Sequence, residues 1–115
     1  MILVLGGIAS GKRSYVRSLR YDDTQMCRDL DSTQPVLLGL EELLRDGPLN
    51  AEQLSSMLSR EVVTCCEVGL GVVPIDPDER AWRELVGRTC IELAAHAECV
   101  VRMVCGIPLT VKGGD

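Results

Sequence analysis

Four short apolar runs punctuate the chain, separated by stretches in which apolar positions recur at spacings of three and four. Ile2-Leu3-Val4-Leu5, Val36-Leu37-Leu38-Gly39-Leu40, Val62-Val63-Thr64-Cys65 and Cys99-Val100-Val101-Arg102-Met103-Val104-Cys105 have the length and aliphatic character of strands buried on both faces. Helical spacing is predicted between them over residues 12–20, 41–45, 51–60 and 76–97. Asn50 is a good N-cap for the third helix, whose Leu54, Met57 and Leu58 face inward. Asp76-Pro77-Asp78-Glu79 opens the longest one, placing acids and proline in its first turn. Along that helix Trp82, Leu85, Val86, Thr89, Leu93 and His96 form the repeating face. An alternative over 36–45 is a single longer helix, because Leu37, Leu40 and Leu44 also sit at helical spacing.

The polar segment 21–34 reads as a connection with one helical turn near 26–30, and 106–112 as a C-terminal hairpin arm. Alternating strand and helix predicts one three-layer α/β domain over residues 1–115, with about four mainly parallel strands and helices on both faces.

The first strand runs directly into Gly6-Gly7-Ile8-Ala9-Ser10-Gly11-Lys12 and then into the first helix. Strand, glycine loop and helix in that order form the setting of a phosphate-binding loop, in which main-chain N-H groups cradle polyphosphate oxygens. Gly6, Gly7, Ile8, Ala9, Ser10, Gly11, Lys12, Arg13 and Ser14 are therefore the predicted nucleotide-binding residues, with Lys12 at the outer phosphates. The pattern departs at position 13, where the hydroxyl that ligates magnesium is replaced by Arg13. Ser14 comes one residue late, a rotation of about 100° away from the phosphate side. The expected domain is thus a P-loop NTPase-like (RecA-like) one that binds ATP or GTP with a weakened Mg2+ site and no assignable metal ligands.

Composition narrows the partners. The chain has 115 residues, 46% hydrophobic and 25% charged, with only 3% aromatic and no Phe, so the core is aliphatic. A net charge of −5 without a basic, aromatic-interleaved patch argues against nucleic acid. The first residues carry no basic leader and too short an apolar run for a membrane span. Six cysteines, none in a Cys-x-x-Cys pair, and a single histidine give zinc no ligand set; a reduced, cytoplasmic protein is expected. Cys65-Cys66, at the end of a predicted strand, is the pair worth following. His96 reads as a helix-end histidine.

Cys66-Glu67-Val68-Gly69-Leu70-Gly71-Val72-Val73-Pro74 is the second informative stretch. A strand here enters a glycine-containing loop with one carboxylate at its mouth, and ligands of doubly wound sheets bind at such carboxyl ends. Glu67 either faces that ligand or is the salt-bridged exit of the strand.

Together these segments resemble the bifunctional adenosylcobinamide kinase and adenosylcobinamide-phosphate guanylyltransferase family of cobalamin biosynthesis. Ile2 to Lys12 looks like the family's I-L-V-T-G-G-x-x-S-G-K, Glu67 to Pro74 like E-V-G-x-G-[IV]-V-P, Arg83-Glu84-Leu85-Val86-Gly87-Arg88 like R-D-x-x-G-R, and Val104 to Leu109 like the closing V-x-G-[IL]-P. The resemblance implies phosphoryl transfer from a nucleoside triphosphate to a corrinoid hydroxyl, with Lys12 and Glu67 as catalytic residues, followed by guanylyl transfer through a histidine. It also implies a homo-oligomer.

Several family positions are altered here. The family's second-strand carboxylate falls at Gly39, unless Glu41 or Glu42 moves in; Cys65-Cys66 replaces Thr-Asn, and Cys90 an Asn. The family's central insertion, which holds the nucleotide-carrying histidine, is reduced to residues 21–34 without one. Guanylyl transfer is therefore expected to be lost. The resemblance leaves two readings open: a minimal kinase, or a degenerate nucleotide-binding, regulatory or assembly subunit.

Overall fold

The computed structural model describes residues 1–68 and 75–113; residues 69–74, most of the second motif, and 114–115 lie outside the described residues. Strands β1 (Ile2–Gly6), β2 (Met26–Cys27), β3 (Val36–Leu37), β4 (Val62–Cys66), β5 (Cys99–Val104) and β6 (Ile107–Lys112) form one sheet in the order β2-β3-β4-β1-β5-β6. All neighbours are parallel except β5 and β6, which make an antiparallel hairpin. Among the described residues four α-helices connect them: α1 (Lys12–Ser18), α2 (Leu40–Leu43), α3 (Ala51–Leu58) and α4 (Pro77–His96).

Strict alternation in β1 sends its side chains to two cores. Leu3 packs with Leu40 and Leu44, Met57 of α3, and Val86 and Leu93 of α4; Val4 packs with Val16 of α1, Val36, Val62 and Val101. Helices therefore cover both faces, as parallel sheets require. Each fully buried Leu or Val side chain contributes about 1.5–3 kcal/mol. Capping follows the sequence: Asn50 and Gln53 form a reciprocal capping box on α3, and the Asp76 carboxylate accepts the Asp78 N-H on α4.

Among the described residues the sheet has six strands, one more than the four and the hairpin arm expected. The added strand is β2, where a helical turn was expected near 26–30; the 3-10 turn lies earlier, at Asp23–Gln25. Tertiary partners override local preference there, because the Cys27 carbonyl accepts the Leu38 N-H at 2.8 Å. The buried Arg60 guanidinium then donates to the Gln34 carbonyl at 2.6 Å and the Leu30 carbonyl at 3.3 Å, satisfying groups that a helix would have paired internally. The single helix over 36–45 does not form either. Gly39, at φ 75°, breaks the chain between β3 and α2. Among the described residues no helix is long and apolar enough to cross a membrane.

Candidate functional site

The sheet register decides where the glycine loop lies. Gly6, the last residue of β1, sits opposite Cys66 on β4 and Met103 on β5, so the loop emerges at the carboxyl ends of three parallel strands. A Cβ on Gly6 would overlap the Ser10 hydroxyl and lie 3.0 Å from the Met103 carbonyl oxygen. Gly11 adopts φ 95°, and a Cβ there would come within 3.1 Å of the Gly106 Cα in the β5-β6 turn. The Gly106 N-H donates to the Ser10 carbonyl at 3.0 Å, which seats the loop on that turn. Ser10 Oγ is buried and lacks a hydrogen-bond partner among the described residues.

A cleft of about 420 Å3 opens above the loop, between residues 8–14 on one side and Arg28, Gly39 and Glu41 on the other, with Thr64 and Cys66 on its floor. Of the nine predicted nucleotide-binding residues, Ile8, Ala9, Ser10, Gly11, Lys12, Arg13 and Ser14 border it; Gly6 and Gly7 form the loop's base. Ser14 borders it despite its rotation along α1. Lys12 Nζ donates to the carbonyls of Gly7 at 2.7 Å and Gly6 at 3.2 Å, and to Cys66 Sγ at 3.4 Å. Arg13 is engaged by Asp23 at 3.7 Å.

Glu41 does move in. Its Oε1 accepts the Cys66 N-H at 2.8 Å, so a carboxylate from the start of α2 occupies the cleft wall beyond Gly39. The Gly39 N-H donates to Thr64 Oγ1 at 3.1 Å, tying the junction between β3 and α2 to β4. The Trp82 indole N-H donates to the Glu41 carbonyl at 2.9 Å, and Arg45 stacks 3.3 Å over the indole ring while pairing with Glu79 at 2.7 Å. The hydrogen bond from Arg45 lowers the Glu79 pKa below its ordinary value.

Glu67 has a different neighbour. Its carboxylate receives two hydrogen bonds from the Arg102 guanidinium, at 2.8 and 3.1 Å, a bidentate pair that links the residue after β4 to β5 on the far side of β1. It borders an adjacent cleft with Arg45, Trp82 and Arg83, and the two clefts share Ile8, Glu41 and Cys66. Arg83 Nε donates to the Val68 carbonyl, where the described part of the motif ends.

Cys65 points into the core while Cys66 faces the cleft, as alternation along β4 demands. A hydrogen bond with Cys90, and burial after it, push the Cys65 thiol well above its ordinary range. His96 is exposed just before β5, whose first residue pairs with Ile2; it lies at the opposite end of the sheet from the loop. Sequence reasoning missed Arg28 and Thr64, while Cys66, one of the pair it singled out, does border the cleft. The signal for Arg28 was its place directly after the apolar pair Met26-Cys27, legible only once that pair is known to be a strand.

The fit to magnesium rests on Glu41. Among the described residues no group of three His, Cys, Asp or Glu side chains converges. Mg2+ at a nucleotide takes one or two protein carboxylates, with phosphates and water completing the shell, so Glu41 is the carboxylate available.

A family model described as cobinamide kinase / cobinamide phosphate guanyltransferase matches residues 44–111, from the turn after α2 to the end of β6. No curated protein matches the chain. The matched span excludes the glycine loop, which sheet register brings beside the matched strands β4 and β5 independently of the match. By a match over more than half its length, the chain belongs to the cobinamide kinase / cobinamide phosphate guanyltransferase family of cobalamin biosynthesis.

Proposed function

We propose that the chain is a nucleoside-triphosphate-binding kinase that transfers the terminal phosphate of ATP or GTP to a corrinoid hydroxyl in the cytoplasm, without guanylyl transfer. The observation that carries this reading is that Lys12 on the loop and Glu41 on the start of α2 line one cleft, which offers a cation for the outer phosphates and a carboxylate for Mg2+. The parallel order β2-β3-β4-β1-β5, in which β4 separates the loop strand from β3, supports a RecA-like P-loop domain. Glu67, held by Arg102, lies on the next cleft, where its carboxylate can orient the acceptor. The test is transfer of γ-labelled phosphate from ATP or GTP to cobinamide in the presence of Mg2+. Label should appear in the corrinoid, and α-labelled GTP should leave no acid-labile label on the protein. Corrinoid that stays unlabelled with both nucleotides refutes the kinase.

A second reading, a nucleotide-binding regulatory or assembly subunit, draws on the missing hydroxyl at Arg13 and on Lys12 Nζ folded onto Gly6 and Gly7 carbonyls. Nucleotide-induced stabilisation that is independent of Mg2+, without transfer, is its signature. Either way a homo-oligomer fits β6, whose Ile107, Leu109 and Val111 are 60%, 49% and 67% exposed on an edge strand.

A further inference from the structure

Arg28 borders the cleft from the side opposite the glycine loop, in the connection that leaves β2. Its guanidinium lies against the backbone of Gly39: a Cβ at that position would come within 3.0 Å of Arg28 Nη1. Gly39 is itself fixed, by its left-handed conformation and by its N-H bond to Thr64. The guanidinium therefore rests on a rigid surface at the end of β3, two strand spacings, or about 10 Å, from β1.

The other cations of the cleft are engaged, Lys12 with two carbonyls and the Cys66 sulfur and Arg13 with Asp23. Arg28 has no hydrogen-bond or ion-pair partner among the described residues. Arg60 secures the chain on both sides of Arg28, through Cys27 Sγ before it and the Leu30 and Gln34 carbonyls after it.

We propose that Arg28 is a specificity-determining residue of this cleft, which holds the outermost phosphate group of a bound polyphosphate and so selects a triphosphate over a diphosphate. The inference rests on the phosphate-loop reading of residues 6–14. A chain lying over the loop from Lys12 reaches Arg28 only when it is long enough to cross β4. A guanidinium fork matches two oxygens of a terminal phosphate. It also supplies positive charge on the side where Gly39 brings none of the family's carboxylate. Glu41 and Arg28 then flank the same terminal group, the carboxylate through a cation and the arginine directly.

The experiment is calorimetric titration of wild type, Arg28→Ala, Arg28→Lys and Lys12→Ala with inorganic tripolyphosphate and with pyrophosphate, each with and without Mg2+. Wild type should prefer tripolyphosphate by roughly 10- to 100-fold, the worth of one charge-assisted pair. Arg28→Ala should bring that ratio to about one while leaving pyrophosphate affinity within about twofold, Arg28→Lys should keep part of it, and Lys12→Ala should weaken both ligands. Because Arg28 is exposed, the variant should melt with wild type. An unchanged ratio in Arg28→Ala overturns the assignment of Arg28 and leaves the loop reading standing. Wild type that binds neither anion overturns both.

Discussion

Glu41 Oε1 accepts the main-chain N-H of Cys66 at 2.8 Å, joining the first turn of α2 to the end of β4. The bond brings a carboxylate to the cleft, where Gly39, between β3 and α2, supplies none. Glu41→Gln keeps an acceptor for that N-H and removes only the charge. Its melting without ligand should stay within about 0.5 kcal/mol of wild type. The extra stabilisation that Mg2+ adds to a bound triphosphate should disappear, as read by thermal shift with and without the metal. A magnesium effect of wild-type size in Glu41→Gln would remove Glu41 from the metal's coordination.

Two loop positions in the left-handed region should respond in opposite directions. Gly11 at φ 95° packs against Gly106, so Gly11→Ala should cost about 1–3 kcal/mol, from strain and crowding together. Ala9 holds φ 56° with a side chain, and Ala9→Gly should be neutral or stabilising by up to about 1 kcal/mol. Chemical denaturation of the two variants checks the pair.

The adjacent cysteines differ in access. Iodoacetamide should label Cys66, which borders the cleft, and spare Cys65, which is fully buried with its thiol held protonated by Cys90 and burial. Saturating triphosphate should slow the labelling of Cys66 several-fold, measured by peptide mass spectrometry. Labelling of Cys66 at the same rate with and without bound nucleotide would place the ligand elsewhere.

Desolvation raises Tyr15 and Tyr21 above their ordinary 10.0, and the bond from the Tyr21 hydroxyl to Glu61 at 2.9 Å raises Tyr21 further. A raised folded pKa means stability that is complete below 10.0 and is lost as pH rises through the folded values. Phenolate absorbance should therefore appear above 10.0 for both in the folded protein, with stability falling over the same range. Tyr21→Phe should flatten part of that alkaline loss.

Much of the frame was legible because it depends on local pattern. The aliphatic runs became β1, β3, β4 and β5, and the glycines at 6 and 11 occupy places where a side chain would collide. What escaped depends on contacts distant in sequence. β2 exists through pairing with β3 and through Arg60, whose bonds reach back 26 and 30 residues. Glu41 was one of two acids offered for the cleft, and only the position of the Cys66 N-H chose it over Glu42. The partnership of Glu67 with Arg102, 35 residues apart, likewise has no local signature.

The central claim is that Lys12 and the loop beneath it hold a nucleoside triphosphate, and the most direct measurement is the melting of wild type and Lys12→Ala with millimolar ATP or GTP. At a hundredfold excess over Kd, the wild-type protein should gain about 2.7 kcal/mol, and Lys12→Ala should lose most of that gain while folding normally without ligand. Wild type that gains nothing from either nucleotide, or a Lys12→Ala variant that gains as much as wild type, would contradict the account.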